Sequence, residues 1–382
     1  MTSIEGQLGD VALEDLIQEA VATYSKDEVD WEGFTELADA IGHAGVEGVE
    51  TTAVSLSTGD PHQRFAAAEL LGRMSVNAAP SVAERCYGVL AEALKLELEA
   101  ASALQTPEVP TPEATLSANT GDAGAQLLAS IVSALGHLED PRAVPSLLGL
   151  VRHESEIVRF SLALALPAVC DEDYEAAVTD ALVSLTSDDD EGVRDWACFG
   201  LSQMQIDTPG VRDALAVRLA DSHDDARCEA LIGLARLGDQ RAFDMLIERL
   251  ACDDVWTLEI EAAGELADTR FHPLLGALRE WWTDDSDEDV VEFAMRRCDP
   301  KAAVAAAGHE QAFLNLLRTS EATNGLVVEE NGVYPLTRVV IKEGNEVIDE
   351  FRLWDDEDPV TFDAARSAAS QLMTLQQLIE PS

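Results

Sequence analysis

The sequence predicts an all-α solenoid of stacked helix pairs, followed by a small α+β segment at the C-terminal end. Three observations carry that expectation. The phrase SDDDEGVRDWACFGLSQ, Ser187–Gln203, recurs in altered form along most of the 382 residues. Its recurrences fall at near-constant intervals. From about residue 325 onward the patterning changes from helical to alternating.

Arg194 anchors the phrase, with Ala197 three and Leu201 seven residues further on. The same frame appears as Arg64–Ala67–Leu71, Arg159–Leu162–Leu166 and Arg227–Ala230–Leu234. Glu259 replaces the arginine before Ala262 and Leu266, and Val291 replaces it before Ala294 and Cys298. Leu128 opens a weaker copy with Ile131 and Leu135. Successive anchors from Leu128 lie 31, 35, 33, 32 and 32 residues apart; the 64 residues from Arg64 to Leu128 read as two periods with a degenerate unit between. A fixed period of this length marks a repeat array whose units bury their apolar faces only by stacking. Offsets of three and seven share one helix face. A small residue at the first lets a neighbouring helix approach, and a leucine at the second fills the space between layers.

A second apolar helical stretch precedes the anchors, as in Val144–Val151, Ala177–Leu185, Val211–Leu219 and Phe243–Leu250. Acidic turns, SDDDEG, DSHDD and CDD, join the two helices. Their Asp and Ser residues suit the N-terminus of the second helix, where side-chain oxygens cap free N–H groups and the dipole favours negative charge.

The phrases GVRDWACFGL and ARCEALIGLARLGD, with the openings Asp60-Pro61 and Asp140-Pro141, resemble the HEAT-repeat family over roughly residues 45 to 300. The likeness is to the short HEAT-like repeats of phycobilisome lyases. It implies a helical-hairpin superhelix serving as a scaffold. It also implies a structural role for Arg64, Arg159, Arg194 and Arg227, as a ladder of hydrogen bonds to the inter-helix turn and the preceding repeat.

Along the chain, residues 1–44 read as an N-terminal helical cap, with a helix over Val11–Tyr24 and another starting at Trp31 behind Asp30. Residues 45–320 read as the repeat solenoid. Its first pair is Val46–Leu56 and His62–Met74, and Ser81 is placed to cap a long helix from Val82 to Leu104. Residues 105–124, QTPEVPTPEATLSANTGDAG, read as a Pro/Thr-rich insertion without apolar period. Later helices are expected over Phe271–Trp282 and Ala302–Leu317. Residues 325–382 read as a small α+β domain. Strands over Leu326–Glu329, Leu336–Glu343 and Glu346–Trp354 are separated by Asn331-Gly332 and Gly344-Asn345, a meander pattern, and a helix over Thr361–Leu378 would cover them.

Asp and Glu total 73 against 25 Lys and Arg, for a formal charge of −48. Lysine is confined to Lys26, Lys95, Lys301 and Lys342. This balance resembles the acidic proteins of salt-accumulating haloarchaea, where a Debye length of about 3 Å in molar salt screens self-repulsion. It leaves no cationic groove for phosphate, so nucleic acid is not an expected partner. The start MTSIEGQLGD lacks a basic, apolar leader, and no apolar run reaches the roughly 20 residues of a membrane span. Cys86, Cys170, Cys198, Cys228, Cys252 and Cys298 form no C-x-x-C pair and read as small core residues of a reduced, cytoplasmic protein.

No catalytic, cofactor or metal constellation emerges. His153-Glu154 and His309-Glu310 are not at equivalent repeat positions, unlike the His-Glu dipeptides of the di-iron site in deoxyhypusine hydroxylase, a HEAT-like enzyme. The acidic runs 188–190 and 355–358 lack the calcium-loop pattern. Arg279, Arg296 and Arg297 form a modest basic cluster suited to local ion pairs. Trp256, Trp281 and Trp282 are the aromatic binding candidates, since Trp favours both interfaces and cores. The expected function is a non-catalytic scaffold that binds a protein partner on a concave face lined by second helices. The competing expectation is an enzyme or enzyme accessory of phycobilin-lyase-like or hydroxylase-like type.

Overall fold

The structure, a computed structural model, describes residues 12–24, 30–76, 78–104, 118–282, 290–301, 327–330, 338–343 and 346–352. The chain divides into two compact units, Met1–Ala214 and Leu215–Ser382.

The first unit holds helices α1 (Leu13–Tyr24), α2 (Trp31–Gly42), α3 (Val46–Thr58), α4 (Pro61–Met74), α5 (Pro80–Leu104), α6 (Ala118–His137), α7 (Val144–Leu148), α8 (Glu156–Ala168), α9 (Glu175–Leu185) and α10 (Glu191–Met204). Helix α11 (Pro209–Arg218) contains the division point. The second unit holds α12 (Asp224–Arg236), α13 (Arg241–Arg249), α14 (Thr257–Leu266), α15 (His272–Leu278) and α16 (Val290–Arg297).

Local chemistry starts these helices where the acidic turns end. The Asp30 carboxylate accepts from Gly33 N at 3.1 Å, and that of Asp190 accepts from Val193 N at 3.0 Å. Asp60 and Gln63 form a reciprocal capping box, with Pro61 in the first turn. Two starts differ from expectation. Helix α5 opens at Pro80, whose fixed φ suits a first turn, so Ser81 lies inside it. Helix α12 is capped by the His223 ring, which accepts from Ala226 N at 3.4 Å. The Asp221 carboxylate of that turn accepts instead from Arg218 and from His223 N.

The three-and-seven pattern becomes the core. Ala67 and Leu71, Ile131 and Leu135, Leu162 and Leu166, Ala197 and Leu201, and Ala230 and Leu234 are all buried. Each buried leucine contributes about 1.5–3 kcal/mol relative to exposure. Second helices stack in series, α4 on α6 on α8 on α10 in the first unit and α12 on α14 on α16 in the second.

The direct packing of α4 on α6 corrects the reading of Arg64 to Leu128 as two periods. A Cβ added at Gly72 of α4 would meet Ala134 Cα of α6 at 2.7 Å. The same contact recurs between Gly136 of α6 and Ala165 of α8, and between Pro167 of α8 and Gly200 of α10. In each case a residue eight after one anchor meets a residue six after the next. The interval is therefore one repeat step. Its extra length goes into the 25-residue α5, the residues between α5 and α6, and the 20-residue α6. Helix α6 begins at Ala118, so residues 118–124, expected as part of the insertion, are helical.

Past Lys301 the described residues form three strands, β1 (Val327–Glu330), β2 (Arg338–Glu343) and β3 (Glu346–Arg352). They pair antiparallel in the order β1-β2-β3, with Val328 opposite Ile341 and Val339 opposite Phe351, and the β2–β3 register shifts at Ile341/Lys342. The helices expected over Ala302–Leu317 and Thr361–Leu378 lie outside the described residues.

Candidate functional site

Offsets five and nine from each anchor lie on the side of the second helix opposite the buried three-and-seven face. In the first unit they are Glu69 and Arg73 on α4, Ser133 and His137 on α6, Leu164 and Ala168 on α8, and Phe199 and Gln203 on α10. This track is polar at one end and aromatic at the other.

At the polar end, Glu69 is only 6% exposed. Burial pushes its carboxyl up to about 7, against the pull of Arg73 one turn on and a hydrogen bond from Ser133. Burial and the Glu69 charge also raise the Tyr24 phenol, against Ser130 and Arg73. The Arg73 guanidinium donates to Thr35 Oγ1 at 3.2 Å and stacks 4.7 Å over the Trp31 ring. Tyr24 packs on Phe34 and Trp31 at 5.6 and 6.1 Å between centroids. Helices α1 and α2 thus supply an aromatic cover to the polar residues of α4 and α6.

At the other end that face has no such cover among the described residues. Phe160 and Trp196 meet edge to face at 6.0 Å, and Trp196 and Phe199 at 5.2 Å. Phe160 is 36% and Leu164 38% exposed. The Phe160 ring rests on Gly192, where an added Cβ would lie 3.3 Å from the ring and 3.4 Å from Asp190 Oδ1. Aromatic side chains, a carboxylate and bare backbone therefore share one surface of α8 and α10.

The repeated arginines serve the turns. Arg159 Nη1 donates to His153 O at 2.7 Å and Glu154 O at 3.0 Å, and its other donors grip the Asp188 carboxylate at 2.7 and 2.8 Å. Arg194 Nη1 reaches Asp188 O at 3.0 Å and Asp189 O at 3.2 Å. Arg227 Nη1 reaches Asp221 O at 3.2 Å and pairs with Asp224 at 2.6 Å. Arg64 Nε reaches Leu56 O at 2.8 Å and pairs with Glu97 at 2.6 Å. The direction corrects the expectation. Arg64 and Arg159 extend to the following pair rather than the preceding one: Arg159 reaches the Asp188 carboxylate of the next inter-helix turn, and Arg64 reaches Glu97 within α5. Burial raises the Asp188 carboxyl, but the Arg159 hydrogen bond, Asp190 N–H and the charges of Arg159 and Arg194 hold it below the usual range.

Glu259 shows the same turn with its charges exchanged. It is 1% exposed and accepts from Arg249 Nε at 2.6 Å and from Trp256 N at 2.9 Å. Arg249, from the preceding helix, takes over the turn carbonyl of Asp254 at 2.7 Å.

The sequence-derived tryptophan candidates are only partly brought together. Trp281 and Trp282 follow α15 with centroids 6.3 Å apart; Trp281 is 48% exposed, and the Trp282 Nε1 is buried without an acceptor among the described residues. Trp256, 39% exposed, precedes α14, and no ring contact joins it to either among the described residues. Arg279 pairs with Glu292 at 3.2 Å, while Arg297 donates to Gly264 O at 2.7 Å. The patch of Phe160, Leu164, Trp196 and Phe199 escaped the sequence reading. Its signal was apolar residues at offsets one, two and five, off the core face.

Chemistry beyond packing is sparse in what is described. Among the described residues no group of three or more His, Cys, Asp or Glu is placed to hold a metal. Burial pushes the thiols of Cys86, Cys228 and Cys298 up to about 12, which leaves them without thiolate character. Cys170 and Cys252 are less buried than the core role expected of them. The His153 ring accepts from Ser155 N at 3.2 Å, a turn role, and His309-Glu310 lies outside the described residues.

Stacked helix pairs at this period, with an arginine on the turn carbonyls, define a helical-repeat scaffold. The HEAT-repeat family profile matches residues 113–202, and that of the PBS lyase HEAT-like repeat matches residues 226–252, so these stretches of the chain are similar to HEAT repeats. Protein YibA of Escherichia coli is 33% identical over 125 residues, which cover 33% of this chain and 43% of that protein. Phycocyanobilin lyase subunit alpha of Pseudanabaena tenuis is 33% identical over 95 residues, 23% of this chain and 35% of that subunit. The chain therefore spans less than half the length of these curated relatives. The X-ray structure of Escherichia coli YibA superposes with a TM-score of 0.50 at 18% identity, covering 78% of this chain and 97% of that one, a likeness of fold.

Proposed function

We propose that the protein is a non-catalytic HEAT-repeat scaffold that binds a protein partner on the inner face of its second helices. The observation that carries this is the patch formed by exposed Phe160 and Leu164 with half-buried Trp196 and Phe199 across two successive second helices. Exposed aromatic clusters of this kind serve as interface anchors. The four repeat arginines hold the turns that set the spacing of these helices. The C-terminal strands β1, β2 and β3 offer a further contact surface in the second unit. Trp281 and Trp282 are a secondary contact point in the second unit.

No helix among the described residues is long and apolar enough to cross a membrane. With a formal net charge of −48 and scarce lysine, the working environment is a cytoplasm of high salt, and nucleic acid is not the partner.

The second reading, an enzyme or enzyme accessory of lyase-like or hydroxylase-like type, draws on the Glu69 cluster. A carboxyl near 7 beside a phenol and a guanidinium is suited to proton transfer. Helices α1 and α2 cover that cluster, so a substrate would reach it only after they moved.

The experiment is affinity capture from native lysate in multimolar KCl, comparing wild type, Phe160→Ser and a chain ending near Thr323. One dominant partner lost with Phe160→Ser supports the scaffold on this face, and loss on truncation places the C-terminal strands at the contact. No partner, together with stoichiometric metal or a bound chromophore in the purified protein, supports the enzyme.

A further inference from the structure

Several aromatic rings of this protein carry an arginine on their face. Trp31 and Phe34 have the Arg73 guanidinium at 4.7 and 5.9 Å, Tyr87 has Arg142 at 4.1 Å, Phe243 has Arg270 at 3.6 Å and Phe293 has Arg297 at 5.8 Å. A planar cation on a ring face covers apolar surface while satisfying the ring quadrupole. Phe160, Trp196 and Phe199, which join two successive helices, have no such partner among the described residues, and neither do the exposed Trp256 and Trp281. The arginines nearest in sequence to Phe160 and Trp196, Arg159 and Arg194, are turned onto turn carbonyls and Asp188. The charge around these rings is negative. Exposed Glu156 lies one turn before Phe160 on the same face of α8, and Asp189, Asp190 and Glu191 lead into Gly192, on which the Phe160 ring rests.

We propose that the α8–α10 face is a docking site for a basic, arginine-bearing protein segment, whose guanidinium groups cover Trp196 and Phe160 while the neighbouring carboxylates neutralise them. This rests on the patch being the docking face and adds the chemistry of its occupant. Arginine is preferred to lysine because its plane stacks on a ring while its edge still donates to carboxylates. The polar end of the same track shows the arrangement within one chain, where Arg73 stacks on Trp31 and donates to Thr35.

The test uses a short fluorescein-labelled arginine–serine repeat peptide and its citrulline analogue, which keeps the plane and loses the charge. Binding to the full chain is read by fluorescence anisotropy in low and multimolar KCl. The expected result is saturable binding of the arginine peptide in both salts and weaker binding of the citrulline peptide. Phe160→Ser and Trp196→Leu should each lower affinity by about 2- to 30-fold, and Trp281→Leu should not. Phe160 is exposed, so its variant keeps the urea midpoint of wild type and reports binding alone. Equal binding of the two peptides overturns the proposal, because it leaves the guanidinium charge no role; wild-type affinity in both patch variants overturns it and assigns the binding to the acidic surface at large. A lysate partner lost in Phe160→Ser but not displaced by the arginine peptide also overturns it, while the docking face stands. A partner retained by Phe160→Ser overturns the docking face itself.

Discussion

Replacing Glu69 by glutamine is expected to reshape the pH dependence of the first unit while leaving its packing intact. Glu69 is 6% exposed, and its carboxyl is raised from 4.5 to about 7, chiefly by burial. A raised folded-state value means the folded unit holds this proton more tightly than the unfolded chain. The resulting stability is fully present below about 4.5 and is lost as pH rises through about 7. The difference in pKa corresponds to about 3 kcal/mol. Glutamine resembles the protonated acid in shape and can still bond Ser133, but it has no proton to lose. The variant should match wild type at the acid end of this window and exceed it by about 3 kcal/mol above the window. Urea unfolding followed by tryptophan fluorescence across this range measures the effect, since Trp31 reports the docking of α2 on Arg73. Parallel pH curves for wild type and variant would refute the reasoning, because they would mean that the buried carboxyl titrates alike in both states.

Three further outcomes follow from packing. Glu259→Ala should destabilise the second unit by about 3 kcal/mol, the lower end of the range for breaking a buried ion pair, because Arg249 keeps its bond to the Asp254 carbonyl. Adding Arg249→Met to Glu259→Leu should recover most of the loss in a double-mutant cycle. Gly72→Ala should cost about 1–3 kcal/mol by overpacking, since its Cβ would sit 2.7 Å from the Ala134 backbone; Gly88→Ala, with its nearest atom a side-chain nitrogen at 3.9 Å, should be neutral or stabilising in the same thermal melt. Asp60→Ala should lower stability by about 1 kcal/mol through loss of the α4 cap, and Asp60→Asn should restore most of it, as read from urea midpoints.

Much of the fold was legible because the repeat rests on local rules. Residues three and seven after the anchor share a helix face whatever else the chain does, so Leu162, Leu166, Ala197 and Leu201 were recognisable as core from spacing alone. Asp30, Asp60 and Asp190 were recognisable as helix starts because capping involves atoms within three residues. The pairing of a buried Glu259 with Arg249 was not legible. A charge exchange keeps the contact while changing both residues, and only the fold brings the two side chains together.

The candidate site divides in the same way. Trp256, Trp281 and Trp282 stood out by residue type and nearness in sequence, but nearness in sequence did not join Trp256 to the other two. Phe160, Trp196 and Phe199 come from two repeats, and only stacking of α8 on α10 makes them one surface. The sequence by itself determined the period, the helix pairs, the acidic turns and the arginine that closes each turn, since all of these depend on residues within one repeat. Tertiary structure alone decided that α6 follows α4 in one step, that Arg159 reaches forward to Asp188, and that α1 and α2 cover Glu69 while Phe160 stays exposed. Those outcomes depend on which repeat faces another, and the residues that settle it, Gly72 against Ala134 and Pro167 against Gly200, meet only after the helices have packed.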